Sequence, residues 1–427
     1  MVSTKLRSKF SRAMLAGVAT LFIAGYAQAQ TAQSALMAPN TSANAATKAF
    51  SNGTLAGGTN VSKVNVHTLL YPGNTTKVLV HYLPWFDGGN DTGVNVNYSN
   101  GNTTYVKAFF ADLVSRGVDG VMVDWQGQTD ISDQDWLISQ PIIHNYTTLS
   151  GNKLSFAIML DANLLNNYSG TNQNKVMAAL SYINSHYLSD ASYLTYNGKP
   201  VVGDFGLTAA GGVNWTAIQN AYPNIQFVHL DNATSPDGFG IAKSAGSFLW
   251  VNPTSTDVTP PDLSTMDDFY TRSNLHPTQI TMGAAYKGFN GALAPWDGPT
   301  FVDQQCGETW LNSFTKINQY FNSAKQLPFL QLVTWDDYYE GTPLETGIDN
   351  CLGVTTSVSS RTIKVSFTHA DTVDHLELWS YSNSAWVQAS YPATTTTIPV
   401  TKAGTYYVKV VGKPFVKNAL SSAIVVN

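Results

Sequence analysis

The sequence predicts an α/β fold: a (β/α)8 TIM barrel followed by a small C-terminal antiparallel β-sandwich. Two observations predict it. Between residues 76 and 350, short apolar runs alternate with segments of helical spacing, which is typical of parallel strands covered by helices. After Cys351 the helical spacing stops, and apolar and polar residues alternate with a period of two, as in half-buried antiparallel strands.

The first 29 residues have the pattern of a secretory signal peptide. A positively charged start is followed by an apolar stretch from Ala13 to Gly25, which is too short for a membrane span. Ala27 and Ala29 then form a small-x-small cleavage site before Gln30. We therefore expect a secreted protein, extracellular or periplasmic, that has no membrane segment after cleavage.

The content of charged residues limits the classes of molecule that the protein could bind. Charged residues make up 12% of the 427-residue chain, about half of the usual ~25%. Removal of residues 1–29 would leave 19 basic and 28 acidic residues and a net charge of −9, which argues against nucleic acid as a partner. Residues 30–75 are rich in small polar residues and predict a flexible leader and an N-terminal strap. We expect a monomer.

The predicted barrel occupies residues 76–350. Its helices have helical spacing and are expected at 105–115, 133–149, 173–187 and 309–324. The fourth strand is expected to form a small hairpin around Asn197 and Gly198. The eight strands are expected at 77–82, 118–124, 154–160, 193–203, 225–230, 247–251, 279–286 and 328–334.

The predicted β-sandwich occupies residues 351–427, with alternating runs at 362–367, 375–381 and 405–410. The chain has two cysteines, Cys306 and Cys351. In an exported protein we expect them to form a disulfide, and it would join the end of the barrel to the start of the second domain. Two separate buried thiols are the alternative.

The strongest candidate site follows the eighth strand. An apolar run over 329–333 ends in a cluster of carboxylates and aromatic residues that contains Asp337 and Glu340. Carboxylates just past the end of a buried strand, among aromatic faces, fit the handling of a sugar ring. We predict that Asp337 and Glu340 supply the acid and base of glycoside hydrolysis. Two solvated loop acids are the alternative.

Other strand ends also carry polar and aromatic residues, and in a barrel these ends line the active face. Asp161, Asp204 and Asp231 end strands too, but they could simply cap turns. The predicted substrate-binding residues are His81, Trp85, Asp124, Trp125, Gln126, Trp250, Tyr286 and Trp335.

The sequence lacks the motifs of metal-dependent, serine-nucleophile and phosphate-binding sites. The eight histidines show no HExxH or similar metal spacing, and there is no GxSxG elbow and no GxxxxGK phosphate loop. We expect no metal and no cofactor.

The segment Trp335-Asp336-Asp337-Tyr338-Tyr339-Glu340-Gly341 resembles the strand-eight signature of glycoside hydrolase families 71 and 99, Trp-Asn-(Asp/Glu)-(Tyr/Trp)-x-Glu-(Gly/Ser). The segment 80–86 is similar to the Tyr-x-Pro-Trp start of the barrel in these families, and 117–121 to their second-strand entry. The resemblance covers residues 77–350. Asp336 stands where these families have Asn, and Asp337 matches the endo-α-1,3-glucanase branch better than the endo-α-mannosidase-like branch.

The resemblance implies a secreted, endo-acting hydrolase of an α-linked polysaccharide or oligosaccharide. Glu340 would protonate the leaving oxygen, and Asp337 would activate water directly or through the substrate's own hydroxyl. The glucanase-like match favours inversion. Two alternatives remain open: a non-catalytic glycan-binding protein on a barrel scaffold, and a cell-surface protein in which the second domain mediates adhesion.

Overall fold

The structure is a computed structural model. It describes residues 61–427, except 88–95, 97, 232–236, 255–260, 292–293, 295, 297–299 and 383–384. The predicted signal peptide and leader up to residue 60 lie outside the described residues.

Eight parallel strands close into a barrel, as the sequence predicts. Around the barrel each strand pairs with its neighbours, and closure comes from the pairing of β3 with β5. The first and last strands, β1 and β11, also pair in parallel, with Val80 opposite Leu332. The barrel strands are β1 (Lys77–Tyr82), β2 (Gly120–Trp125), β3 (Ser155–Asp161), β5 (Lys199–Phe205), β6 (Gln226–Asp231), β7 (Gly246–Leu249), β8 (Ile280–Tyr286) and β11 (Phe329–Val333).

The helices lie where polar capping residues meet apolar runs. The Asn102 side chain accepts hydrogen bonds from the first amides of α1, and Asp130 and Thr171 do the same for α2 and α4. The helix predicted over 133–149 ends at Ile143. Beyond it, the amides of Asn145 and Tyr146 donate to the carbonyls three residues back, as in a turn, and the α-helical pattern stops. Within the described ranges no helix is both long and apolar enough to cross a membrane. The helices are α1 (Thr103–Ser115), α2 (Ile131–Ile143), α3 (Leu164–Asn167), α4 (Asn172–His186), α5 (Leu207–Ala210), α6 (Trp215–Ala221), α7 (Ser264–Leu275) and α8 (Glu308–Tyr320).

The hairpin expected at the fourth strand is present. β4 (Thr195–Tyr196) pairs antiparallel with the start of β5. Asn197 and Gly198 both have positive φ, 50° and 76°, which is the combination that a two-residue type I′ turn requires. A second short pair, β9 (Phe289–Asn290) and β10 (Phe301–Val302), follows β8.

The C-terminal region forms two antiparallel sheets. Three strands make one sheet and five make the other. Side chains from both sheets, such as Ile363 and Val408, belong to one apolar core. The strands are β12 (Val354–Ser359), β13 (Thr362–Phe367), β14 (Val373–Ser382), β15 (Ala385–Pro392), β16 (Thr397–Pro399), β17 (Gly404–Gly412), β18 (Ala419–Leu420) and β19 (Ile424–Val426).

The C-terminal sheets are tied to the barrel at several points. Cys306 and Cys351 form a disulfide with Cα atoms 5.3 Å apart. The indole N–H of Trp310 on α8 donates to the Pro414 carbonyl at 3.0 Å. The start of the described chain joins the same junction, because the Ser62 amide donates to the carbonyl of Val416.

Candidate active site

A cavity of about 790 Å³ opens at the carboxyl ends of the barrel strands. It is lined by residues that end or follow β1, β2, β3, β5, β7 and β11, which is where the active face of a barrel lies. Another cavity, of about 470 Å³, lies at the amino-terminal ends of the strands. There the Asp119 carboxylate is already bonded to His67 and to the Val78 amide, both at 2.9 Å.

The loop after β11 is folded around Asp337. The Asp337 amide donates to Thr334 Oγ1 at 2.9 Å, and the Thr342 amide donates to the Asp337 carbonyl at 3.1 Å. Gly341 has a φ of 64°, and a Cβ there would approach Asn290 to about 3.0 Å, so glycine is required for both reasons. The Asn290 amide in turn donates to the Glu340 carbonyl. This loop therefore has one closely packed shape.

The two predicted catalytic carboxyls meet at the cavity. Asp337 is buried, and its Oδ1 accepts the Glu340 amide at 2.9 Å. Burial raises the pKa of Asp337 to about 6, against the effects of that amide, of nearby His81 and of a hydrogen bond with the Glu340 side chain, all of which lower it. The side chains of Asp337 and Glu340 thus lie next to each other at the wall of the cavity.

Glu340 is less buried than Asp337 and also lines the cavity. The indole N–H of Trp296 donates to its Oε1 at 3.2 Å. Trp296 is 61% exposed and packs edge-to-face on Tyr339, with the ring centroids 5.2 Å apart. An exposed indole beside a carboxyl group is a ready stacking surface for a sugar.

His81 and Asp124 form a buried pair in the wall of the same cavity. His81 Nε2 lies 3.0 Å from Asp124 Oδ2, and Trp250 packs edge-on against the imidazole at 4.7 Å. Burial lowers the pKa of His81 to about 4, so the ring is neutral at pH 7. Burial and the nearby Asp337 charge raise the pKa of Asp124.

Of the ambiguous strand-end acids, Asp161 lines the cavity, although it also accepts the Asn163 amide as a turn cap would. Asp204 bonds to His229 Nδ1 at 2.8 Å. Asp231 bonds to Arg272 at 2.6 Å. These last two carboxylates are used in structural pairs.

Five of the eight predicted substrate-binding residues line the cavity: His81, Trp85, Asp124, Gln126 and Trp250. The other three do not, and we correct their assignment. Trp125 is fully buried and donates to Asp133 Oδ1 on α2 at 2.7 Å, because successive strand residues face opposite sides and Asp124 takes the inward side.

Trp335 and Tyr286 are also buried outside the cavity. The Trp335 indole faces Tyr105 Oη at 3.4 Å, and the Arg116 guanidinium lies 5.0 Å from its ring. Tyr286, the last residue of β8, is 2% exposed and is absent from the cavity wall.

Behind the carboxyl pair lies a layer that the sequence analysis missed. Glu345, 1% exposed, accepts hydrogen bonds from Tyr98 Oη at 3.0 Å, Tyr338 Oη at 2.9 Å and Tyr105 Oη at 3.3 Å. Burial raises its pKa to about 7. Three phenols therefore tie Glu345 to the segment after β1, to α1 and to the catalytic loop itself.

Asp336 holds the other side of the same loop. Its Oδ1 accepts the Leu83 amide at 3.0 Å, and its Oδ2 accepts from Asn100 Nδ2 at 3.4 Å. Burial raises the pKa of Asp336 well above its ordinary value. Asp336 and Glu345, which precede and follow Asp337 in the sequence, are thus both anchored to the chain that follows β1.

Three side chains at the domain junction, Glu308, His369 and Asp371, bring one possible metal-ligand atom each within 4.8 Å of one another. Two of the three are exposed, and exposed acidic groups commonly cluster in this way without an ion. We draw no metal role from them.

Comparisons with known proteins give matches only among solved structures. No protein-family model and no curated protein matches the chain. An endo-α-mannosidase of glycoside hydrolase family 99 from Bacteroides thetaiotaomicron shares 14% identity, covering 64% of this chain and 87% of its own, with a TM-score of 0.48.

Two further similar structures are a glycoside hydrolase-like protein and an endo-β-1,4-mannanase double mutant from Cellulomonas fimi. The first has 11% identity, coverage of 65% and 88%, and a TM-score of 0.46. The second has 11% identity, coverage of 84% and 96%, and a TM-score of 0.37.

Proposed function

We propose that the protein is a secreted, monomeric glycoside hydrolase that cleaves internal linkages of an α-linked polysaccharide, glucan-like or mannan-like. The observation that carries the proposal is that Asp337 and Glu340 line the same large cavity, where Asp337 Oδ1 accepts the Glu340 amide at 2.9 Å. Glycoside hydrolysis needs one carboxyl that donates a proton and one carboxylate that accepts one.

The two carboxyls differ in the way that this chemistry requires. Glu340 is half-buried and accepts the indole N–H of Trp296, so we assign it the protonation of the leaving oxygen. Asp337 is the acceptor, and with a pKa of about 6 it is mostly ionised at pH 7. Base catalysis is most efficient with a pKa near the working pH.

The contact between the carboxyls also bears on the route. Inverting enzymes hold them about 6.5–9.5 Å apart, and retaining enzymes about 5–5.5 Å apart. Asp337 acts on water directly, or it acts through a hydroxyl of the sugar itself. NMR of the first-formed anomer distinguishes inversion from net retention.

The test is hydrolysis of a panel of α-glucans, α-mannans and β-linked controls, followed by reducing-end detection. Glu340→Gln and Asp337→Asn should each lower the rate at least about 100-fold while the protein stays folded. Glu308→Gln, an exposed carboxyl far from the cavity wall, is the matched control and should keep full activity.

Two results would count against the proposal. Full activity in either site variant would remove that residue from the mechanism. Binding of a glycan by the wild-type protein without any cleavage would favour the glycan-binding alternative instead.

A further inference from the structure

We propose that the inner part of the cavity binds an amino sugar, a hexosamine unit whose ammonium group lies against Asp124. The inference rests on the proposed function and narrows its substrate to a polymer with free amino groups. It depends on an unsatisfied acceptor, on the charge of the cavity wall and on the chemistry of the donors that would fit it.

The unsatisfied acceptor is Asp124 Oδ1. The Asp124 side chain is 5% exposed and lines the cavity, and its Oδ2 is engaged by His81 at 3.0 Å. Oδ1 is buried and has no hydrogen-bond partner among the described residues. A buried acceptor without a donor is destabilising, so a ligand that supplies a donor at this point gains free energy on binding.

The wall around this oxygen is acidic. Its acidic members are Asp124, Asp130, Asp161, Asp337 and Glu340, and the described lining residues include no Lys or Arg. His81 is the one basic lining residue in the described part, and its ring is neutral at pH 7. A uronic acid or a sulfated sugar would add negative charge here, whereas a cation would relieve the mutual repulsion of the carboxylates.

An ammonium group fits this wall better than a hydroxyl. A hydroxyl donates one hydrogen bond and brings no charge. An ammonium donates three, and charge-assisted hydrogen bonds to carboxylates are roughly twice as strong as neutral ones. Asp161 lines the same cavity as Asp124, and burial and the nearby Asp124 charge both raise its pKa. N-acetylation of the sugar would remove the charge and so the advantage.

The experiment is isothermal titration of the full-length protein with glucosamine, galactosamine and mannosamine, each beside its parent hexose and its N-acetyl form. We expect at least one amine to bind about 10-fold more tightly than both of its neutral forms. Asp124→Asn, which keeps the shape of the side chain, should abolish that preference, and Glu308→Gln should retain it. Near-UV circular dichroism checks the fold of each variant.

Ethanolamine is the control for simple attraction of cations. Equal binding of ethanolamine and the amino sugars, equal binding of amines and neutral sugars, or an undiminished preference in Asp124→Asn would each overturn the inference.

Cleavage assays on an α-linked hexosamine polymer, before and after N-acetylation, separate this inference from the proposed function. Faster cleavage of the free-amine polymer supports both. Cleavage of neutral α-glucan with no gain from amino groups would overturn the inference and leave the hydrolase intact. Selective amine binding without cleavage of any polymer would support the subsite and overturn the hydrolase.

Discussion

Replacing Asp337 by Asn should stabilise the protein while it inactivates it. The carboxyl is buried, and its pKa is raised from an ordinary value of 3.8 to about 6. Each pKa unit is worth about 1.36 kcal/mol, so the ionised side chain costs the folded state up to about 3 kcal/mol. The amide keeps the same shape, and its oxygen can still accept the Glu340 amide.

The sign of the pH dependence follows from linkage. The folded protein binds the Asp337 proton more tightly than the unfolded chain, so this carboxyl lowers stability as pH rises from about 4 to about 6. Asp337→Asn removes that loss. The variant should exceed the wild-type protein in free energy of unfolding by up to about 3 kcal/mol at pH 7.5, and the difference should vanish near pH 4.

Urea unfolding of both proteins at pH 7.5, 6 and 4, with Glu308→Gln as control, measures this difference. The same samples should show activity reduced at least about 100-fold in Asp337→Asn. A variant that is less stable than wild type at pH 7.5, or equally displaced at all three values of pH, would refute the electrostatic reasoning.

Three further predictions concern the surroundings of the pair. Tyr98→Phe removes one of the three phenols that donate to Glu345, so urea unfolding should show a loss of about 1–3 kcal/mol; an unchanged midpoint would mean that this phenol contact contributes nothing. Replacing Cys306 and Cys351 by Ser opens a loop with a sequence separation of 45 residues, for which chain entropy predicts a loss of about 4 kcal/mol; full stability in the double variant would contradict it. Trp296→Phe keeps an aromatic surface but loses the N–H donated to Glu340, so kcat should fall, whereas Trp296→Ala should also raise KM. The stability of Trp296→Phe should stay within about 0.5 kcal/mol of wild type. A change in KM alone would assign Trp296 to stacking only.

The barrel and the position of its site were predictable because both rest on local patterns. Short, mainly apolar runs that end in or just before polar residues identify β1, β2, β3 and β11 and place His81, Asp124 and Asp337 at one face. The alternation of side chains also could have excluded Trp125, since it follows Asp124 directly on the same strand. Trp125 was nevertheless included among the predicted binding residues because it is aromatic.

The contacts of Glu345, Trp335 and Trp296 were not predictable from such local patterns. Glu345 lies outside the strand-eight motif, and two of its phenol partners are 247 and 240 residues earlier in the chain. Trp335 lies in a loop, where no alternation tells which way the ring turns. Trp296 sits between two short strands without periodic spacing. Such contacts depend on tertiary packing, and a single sequence carries no local signal for them.

The anchoring of Asp336 and Glu345 to the chain after β1 has a consequence for how activity arises during folding. Leu83 and Asp336 are 253 residues apart, and the Trp335 amide also donates to the His81 carbonyl at 2.7 Å. The acid and base therefore acquire their geometry only when the last strand docks beside the first. A nascent or truncated chain that ends before residue 345 would be inert toward its polymer however much of the barrel it had built, so catalytic competence would report on completed ring closure.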